Sequence, residues 1–261
     1  MQINGLELNV QHSGSGQPLL MLHGLSSDIT AMQPEIDAFS EQFHVIAIDS
    51  RGHGRSDRPA EYTLQDHIAD VIGVMDALDL PTVFLMGSSM GSYVAQGVAA
   101  QQPQRVSKLV LVTPKASGQT SSSARLLAQH AAELEGRSPE EVQAFLADKL
   151  FAPTTSPEIK AVMAESMQEH AEAGLTLTPA QYAAANRALE GFDFRSVLPH
   201  VTAQTLILSG RYDPLNSVQD GEEIARLIPG SRLEVLEHSG HLPSIEEPER
   251  LHQLVLEFLR G

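Results

Sequence analysis

The sequence predicts an α/β fold built on a mostly parallel, doubly wound sheet, and three observations carry that expectation. Short apolar runs recur at 18–22, 43–48, 82–86, 108–112, 205–208 and 233–236; near-continuous runs of this kind suit strands covered on both faces. Helical patterns lie between most of them, and strand–helix alternation is the mark of a sheet wrapped by helices. With 261 residues, 42% of them hydrophobic, the chain can form one such domain with an inserted segment.

Asn4-Gly5 stands between two short alternating segments, the signal of a type I′ hairpin. The spacing then predicts a helix over 63–78. Thr63 is its N-cap with Asp66 three residues on, and Ile68, Val71, Ile72, Met75 and Leu78 share one stripe. Residues 89–101 and 246–259 are the other clear helical patterns. Between Pro114 and Pro199 the alternation stops and no convincing strand is found. Ser138-Pro139, Ser156-Pro157 and Thr178-Pro179 read there as N-caps followed by proline in the first turn. The expected organisation is a core of residues 1–114 and 200–261 carrying a helical cap at 115–199.

The formal net charge of -16 makes phosphate backbones and anionic lipid poor partners, so neither nucleic acid nor a membrane is expected. There is no cysteine, which excludes disulfides and thiolate chemistry. No basic stretch precedes an apolar one at the N-terminus, and no apolar run approaches the roughly 18 residues of a spanning helix. A soluble, cytoplasmic protein is expected.

Gly87-Ser88-Ser89-Met90-Gly91 follows a predicted strand and opens a predicted helix, the setting in which a G-x-S-x-G turn exposes a nucleophilic serine. Only the frame centred on Ser89 has glycine at both flanks; centred on Ser88, the flanks would be Met86 and Met90. A serine hydroxyl needs a general base, and the base needs an orienting acid. His241, in Ser239-Gly240-His241-Leu242-Pro243 after the last strand, is the candidate base; His238 is its rival, closer to the strand. Asp213, in Gly210-Arg211-Tyr212-Asp213-Pro214, is the candidate acid, and Asp220 its competitor. No Asp or Glu lies between Asp79 and Glu133, so the loop after the run at 108–112 cannot supply one. The oxyanion of acyl transfer needs preorganised N–H donors. The backbone amides of Met90 and of Leu25, in His23-Gly24-Leu25, are the candidates, with His23 itself read as structural.

Taken in this order, these residues resemble the α/β-hydrolase superfamily. Its marks also include Asp49-Ser50-Arg51-Gly52-His53-Gly54-Arg55-Ser56. The chain is most similar to small bacterial serine carboxylesterases and 3-oxoadipate enol-lactonase-like hydrolases. The resemblance implies a mostly parallel eight-stranded sheet, a helical cap over the site, and the roles given above to Ser89, Asp213 and His241. It implies a structural role for the 49–56 loop, Arg51 and His53 included. Ser92 and Ser88 depart from the lactonase pattern. A serine at position 89 sets the chain apart from dehalogenases and epoxide hydrolases of this fold, which use aspartate there.

The expected activity is hydrolysis of a small or medium carboxylic ester or lactone through an acyl-enzyme, with a small-molecule substrate and neither cofactor nor metal. Carbon–carbon hydrolysis of a diketone ring-fission product would use the same residues, and a ligand receptor of hydrolase fold is the reading from a different class. Leu126, Phe145, Met163, Met167 and Tyr182 are the cap's candidates for a pocket wall.

Overall fold

The computed structural model describes residues 1–119 and 121–261, with the side chains of all these except Ala124, Pro139, Glu140 and Gln143. Asn4 and Gly5 both take positive φ, 50° and 80°, and turn the chain between β1 (Gln2–Ile3) and β2 (Leu6–Glu7) as expected. The hairpin then stays apart from the main sheet, which has seven strands rather than eight. Two residues a strand offer little ladder. Ile3 is buried, a Cβ on Gly73 would overlap its side chain, and Asn4 Nδ2 donates to Asp70 Oδ1 at 3.0 Å. The hairpin is therefore anchored on a helix instead of extending an edge.

The sheet begins with β3 (Val10–Ser13), the one antiparallel member, and continues with β4 (Pro18–Leu22). After α1 (Gln33–Ser40) comes β5 (His44–Ile48), then α2 (Leu64–Ala77), opened by the expected Thr63–Asp66 capping box. The centre is β6 (Val83–Ser88), α3 (Met90–Gln101) and β7 (Val106–Val112). Two-residue β8 (Ser117–Gly118) leads into five helices: α4 (Ser122–Gln129), α5 (Ala131–Leu134), α6 (Pro139–Lys149), α7 (Pro157–Glu172) and α8 (Pro179–Arg187). β9 (Phe192–Asp193) returns antiparallel to β8. The core resumes with β10 (Gln204–Gly210), α9 (Val218–Leu227), β11 (Arg232–Leu236), α10 (Pro243–Glu246) and α11 (Pro248–Arg260). The strand order is β11-β10-β7-β6-β4-β5-β3.

Two further findings depart from the sequence reading. The β8–β9 pair closes the base of the helical stretch where no strand was expected, because two residues a side leave no periodicity to read. The helix expected over 246–259 is two helices broken at Glu247 (φ −137°, ψ 53°), since the ring of Pro248 bars the residue before it from helical geometry.

Alternate residues along each central strand feed two cores. Leu20, Leu22, Ile46, Leu85, Leu109 and Ile207 meet α2, α3 and α9 on one face. Leu19, Met21, Val45, Met86, Val110 and Leu206 meet α1 and α11 on the other. Both sets are apolar, which is why the runs look continuous in sequence; each fully buried side chain contributes about 1.5–3 kcal/mol. This double burial fixes the strand ends from which the site's loops emerge. Among the described residues no helix is long and apolar enough to cross a membrane.

Candidate active site

Ser89 sits between β6 and α3 with φ 49° and ψ −115°, a left-handed conformation that side chains other than glycine rarely adopt. The turn is tight enough to dictate its neighbours. A Cβ on Gly87 would overlap the Gly91 carbonyl, and one on Gly91 would overlap the carbonyls of Leu22 and His23. The Ser89 amide donates to the Val112 carbonyl at 2.9 Å, locking the turn to β7. The Ser89 carbonyl accepts from Ser92 Oγ at 2.6 Å, so the serine that departs from the lactonase pattern reinforces the turn.

His241 and Asp213 come from the loops after β11 and β10, and the structure brings both to Ser89. His241 Nε2 lies 2.9 Å from Ser89 Oγ, and His241 Nδ1 lies 2.8 Å from Asp213 Oδ2. A carboxylate only accepts, so Nδ1 carries the proton and Nε2 is left to accept from the serine hydroxyl. Both residues are buried. Asp213 Oδ1 accepts from the amides of Leu215 at 2.8 Å and Asn216 at 3.0 Å, which hold the carboxylate square to the imidazole.

The rivals are placed elsewhere. His238 is exposed, and its amide donates to Glu247 Oε2 at 2.9 Å. Asp220 closes the capping box of α9 with Ser217.

The His23-Gly24-Leu25 loop passes beside Ser89: a Cβ on Gly24 would sit 3.5 Å from Ser89 Cβ. His23 is buried, with Nδ1 donating to the Gly24 carbonyl at 2.7 Å and Nε2 accepting from the Ser50 amide at 2.9 Å. Burial holds its imidazole below its ordinary range, so it is a neutral brace for the loop. The Leu25 amide lies on this loop, and the Met90 amide is the first of α3, where helix N–H groups point outward unpaired.

The 49–56 loop makes structural bonds. Arg51 forms a bidentate pair with Asp70 at 2.7 and 2.6 Å. Asp49 accepts from Ile29, Arg55 and Asn9. His53 is fully buried.

Sequence reasoning missed the groups that hold the histidine loop. Glu246 Oε2 accepts from the Gly240 amide at 2.8 Å, while its Oε1 accepts from the Ala152 amide at 2.7 Å and Thr155 Oγ1 at 2.5 Å. Glu247 accepts from Ser239 Oγ at 2.7 Å. The acidic pair ahead of Pro248 was the available signal.

Of the five proposed wall residues, Met163 and Met167 line a groove of about 430 Å³ between α6 and α7, together with Phe151. Leu126 is buried, Phe145 meets His130 edge-on, and Tyr182 is exposed. Among the described residues, no cluster of three or more metal-ligating side chains occurs.

Residues 17–248 match the family model described as "alpha/beta hydrolase fold". The chain is 30% identical over 260 residues to 3-oxoadipate enol-lactonase 1 of Acinetobacter baylyi, covering 98% of this chain and 94% of that one. It is 29% identical over 269 residues to 2-hydroxymuconate semialdehyde hydrolase of a Pseudomonas species, covering 98% and 91%. Among solved structures, a thermophilic esterase of Thermogutta terrifontis superposes with a TM-score of 0.80 at 28% identity, covering 98% and 93%.

Proposed function

Because the chain belongs to the α/β-hydrolase fold family, we propose that it is a serine hydrolase cleaving a small or medium carboxylic ester or lactone through an acyl-enzyme. The observation that supports this best is the unbroken line from Ser89 Oγ through both nitrogens of His241 to Asp213. Ser89 attacks the carbonyl carbon as Nε2 takes its proton, and Asp213 stabilises the imidazolium without taking the proton itself. The amides of Met90 and Leu25 hold the oxyanion of the tetrahedral intermediate. His241 then gives its proton to the leaving alkoxide. Water, deprotonated by the same imidazole, attacks the acyl carbon; the bond from that carbon to Ser89 Oγ breaks as His241 returns the proton to Oγ, and the acid leaves. Residues 115–199 act in this reading as a cap over the nucleophile.

A fluorophosphonate and a panel of 4-nitrophenyl esters test the proposal. Covalent labelling at Ser89, with ester turnover, is expected; the Ser89→Ala variant should lose both. A parent chain that resists labelling and leaves every ester intact would overturn it.

The likeness to 2-hydroxymuconate semialdehyde hydrolase favours a second reading, hydrolysis of a carbon–carbon bond in a diketone ring-fission product by the same residues. Turnover of such a diketone at a rate above that of the esters would select it.

A further inference from the structure

The carboxylate of Asp213 takes its orientation in part from one peptide plane, and that plane is held from its far edge. Asp213 Oδ1 accepts from the Asn216 amide at 3.0 Å. The Leu215 carbonyl belongs to the same planar trans unit and points the opposite way. It accepts from Arg125 Nη2, on α4. A planar unit cannot turn its N–H without turning its C=O, so the guanidinium that fixes one edge also fixes the donor at the other. Arg125 is otherwise an exposed residue, 90 positions away in the chain.

The side chain of Asn216 fastens the same plane from within. It is buried, and its Nδ2 donates to the Thr113 carbonyl, just past the end of β7, at 2.6 Å. Its Oδ1 accepts from Tyr93 Oη on α3 and from Ser122 Oγ on α4, each at 3.1 Å. The Thr113 carbonyl only accepts, so the amide cannot be turned round. Lys115 Nζ lies 2.7 Å from Ser122 Oγ and can only donate, which leaves the Ser122 proton for Asn216. Burial lowers Lys115 to about 8, with the charge of Arg125 acting in the same sense and those of Asp220 and Asp213 opposing it, so the ammonium is present at neutral pH.

We propose that Arg125, Ser122 and Asn216 are positioning residues that hold Asp213 against His241, so that the seat of α4 sets the alignment of the acid. The proposal rests on the serine-hydrolase reading above. Asp213 Oδ1 is fixed by the amides of Leu215 and Asn216, while Oδ2 faces His241 Nδ1 at 2.8 Å. The two oxygens turn together, so a carboxylate that slips from the amides also slips from the imidazole. Each of those two amide residues carries a further group bound by α4: the Leu215 carbonyl by Arg125 and the Asn216 side chain by Ser122. The first of the inserted helices is thereby coupled to the acid, and its three contacts act on the reaction only through Asp213.

The test compares the parent with Arg125→Met and Asn216→Ala by 4-nitrophenyl acetate turnover, the rate of fluorophosphonate labelling and the low-field proton NMR signal of the His241 Nδ1–H. Both variants keep the main-chain amides that donate to Asp213, so they read the side chains alone. Arg125→Met should lower kcat and the labelling rate about fivefold and Asn216→Ala about tenfold, with KM within about twofold of the parent. The Nδ1 proton signal should move upfield in both, which a loss of stability alone would not produce at a temperature where the variant is folded. Unchanged kcat and an unmoved signal in the folded variants would overturn the proposal. So would a raised KM with kcat kept in Arg125→Met, which would make Arg125 a substrate contact. Arg125 is exposed, so its variant carries the test if Asn216→Ala does not fold. A parent that the fluorophosphonate does not label brings down the serine-hydrolase reading, whereas a labelled parent with indifferent variants brings down this proposal alone.

Discussion

The main-chain N–H of His241 donates to the carbonyl of Leu150 at 2.6 Å, tying the imidazole's own peptide unit to the end of α6. The neighbouring Gly240 has no room for a Cβ, which would overlap that same carbonyl. Glu246 completes the clip by accepting from Gly240 on one side and from Ala152 and Thr155 on the other. Glu246→Ala strips three hydrogen bonds from this junction. Two of the three donors are main-chain amides that lose their partner. The expected cost is about 1–3 kcal/mol in urea unfolding, together with a fall in kcat of about tenfold as His241 loses its fixed distance to Ser89. Unchanged ester turnover in a folded variant would show that the bonds to Leu150 and Asp213 set the imidazole without Glu246.

The strain at Ser89 gives a prediction of opposite sign for stability and turnover. A non-glycine residue at φ 49° and ψ −115° persists because the surrounding turn over-determines it, at a cost of order 1–3 kcal/mol. Ser89→Gly removes that cost together with the proposed nucleophile. The loss of the bond to His241 offsets part of the gain, so the net expectation is about 1 kcal/mol of added stability, read as a higher Tm, with ester turnover abolished. Ser89→Ala removes the hydroxyl and keeps the strain, so it should melt below Ser89→Gly.

Gly91 is a packing requirement as much as a turn requirement. Its Cα faces the carbonyls of Leu22 and His23, both main-chain groups of the β4 end and the loop that carries Leu25. Neither can swing aside as a side chain can. Gly91→Ala must push α3 away from β4, which widens the gap between the Leu25 and Met90 amides. We expect a loss of stability of about 1–3 kcal/mol and a larger fall in kcat than in KM, measured by denaturant unfolding and ester kinetics. Gly230→Ala is the control for added volume: nothing lies within 4 Å of its missing Cβ, although its φ of 74° brings a backbone cost of its own.

How much of this could be read in advance follows from how local each constraint is. That the side chains of Ser89, His241 and Asp213 would meet was legible because each stands in a glycine-marked loop at the end of an apolar run, so short stretches of sequence carry both the strand and the turn. His23 was legible as structural for the same reason. The strand count was not: the eight strands implied by resemblance become seven because Ile3 and Asn4 bind α2, a contact made between distant segments. The break at Glu247 could have been seen, since Pro248 announces it. Tyr93, Asn216, Ser122 and Lys115 come from two helices and two loops, and nothing in the spacing of any one of them signals the others. The helices between β8 and β9 show a further limit of periodicity. Helical spacing says that Met163 and Met167 share a face, and the structure turns that face toward α6.

The buried histidines make the fold acid-sensitive in a defined window. Burial holds His53 at about 3, with the neighbouring His23 adding to the shift, and holds His67 well below its ordinary range of about 6.5. Nε2 of both rings has no hydrogen-bond partner, so neither protonated form would be solvated in place. In the unfolded chain these groups take up protons as the pH drops below about 6.5, whereas in the folded chain His53 does not until about 3. The unfolded state therefore binds more protons between those values, and stability, complete above pH 6.5, is lost as the pH falls through the window. The slope is at most about 1.4 kcal/mol per pH unit for each such histidine. His53→Gln removes one of these protons from the balance. Urea unfolding at pH 7, 6, 5 and 4 should give a shallower decline for the variant, by about one proton's worth of slope, whatever the substitution does to stability at pH 7. Parallel curves for the two proteins would mean that His53 is protonated in the folded state and that burial does not exclude the charge.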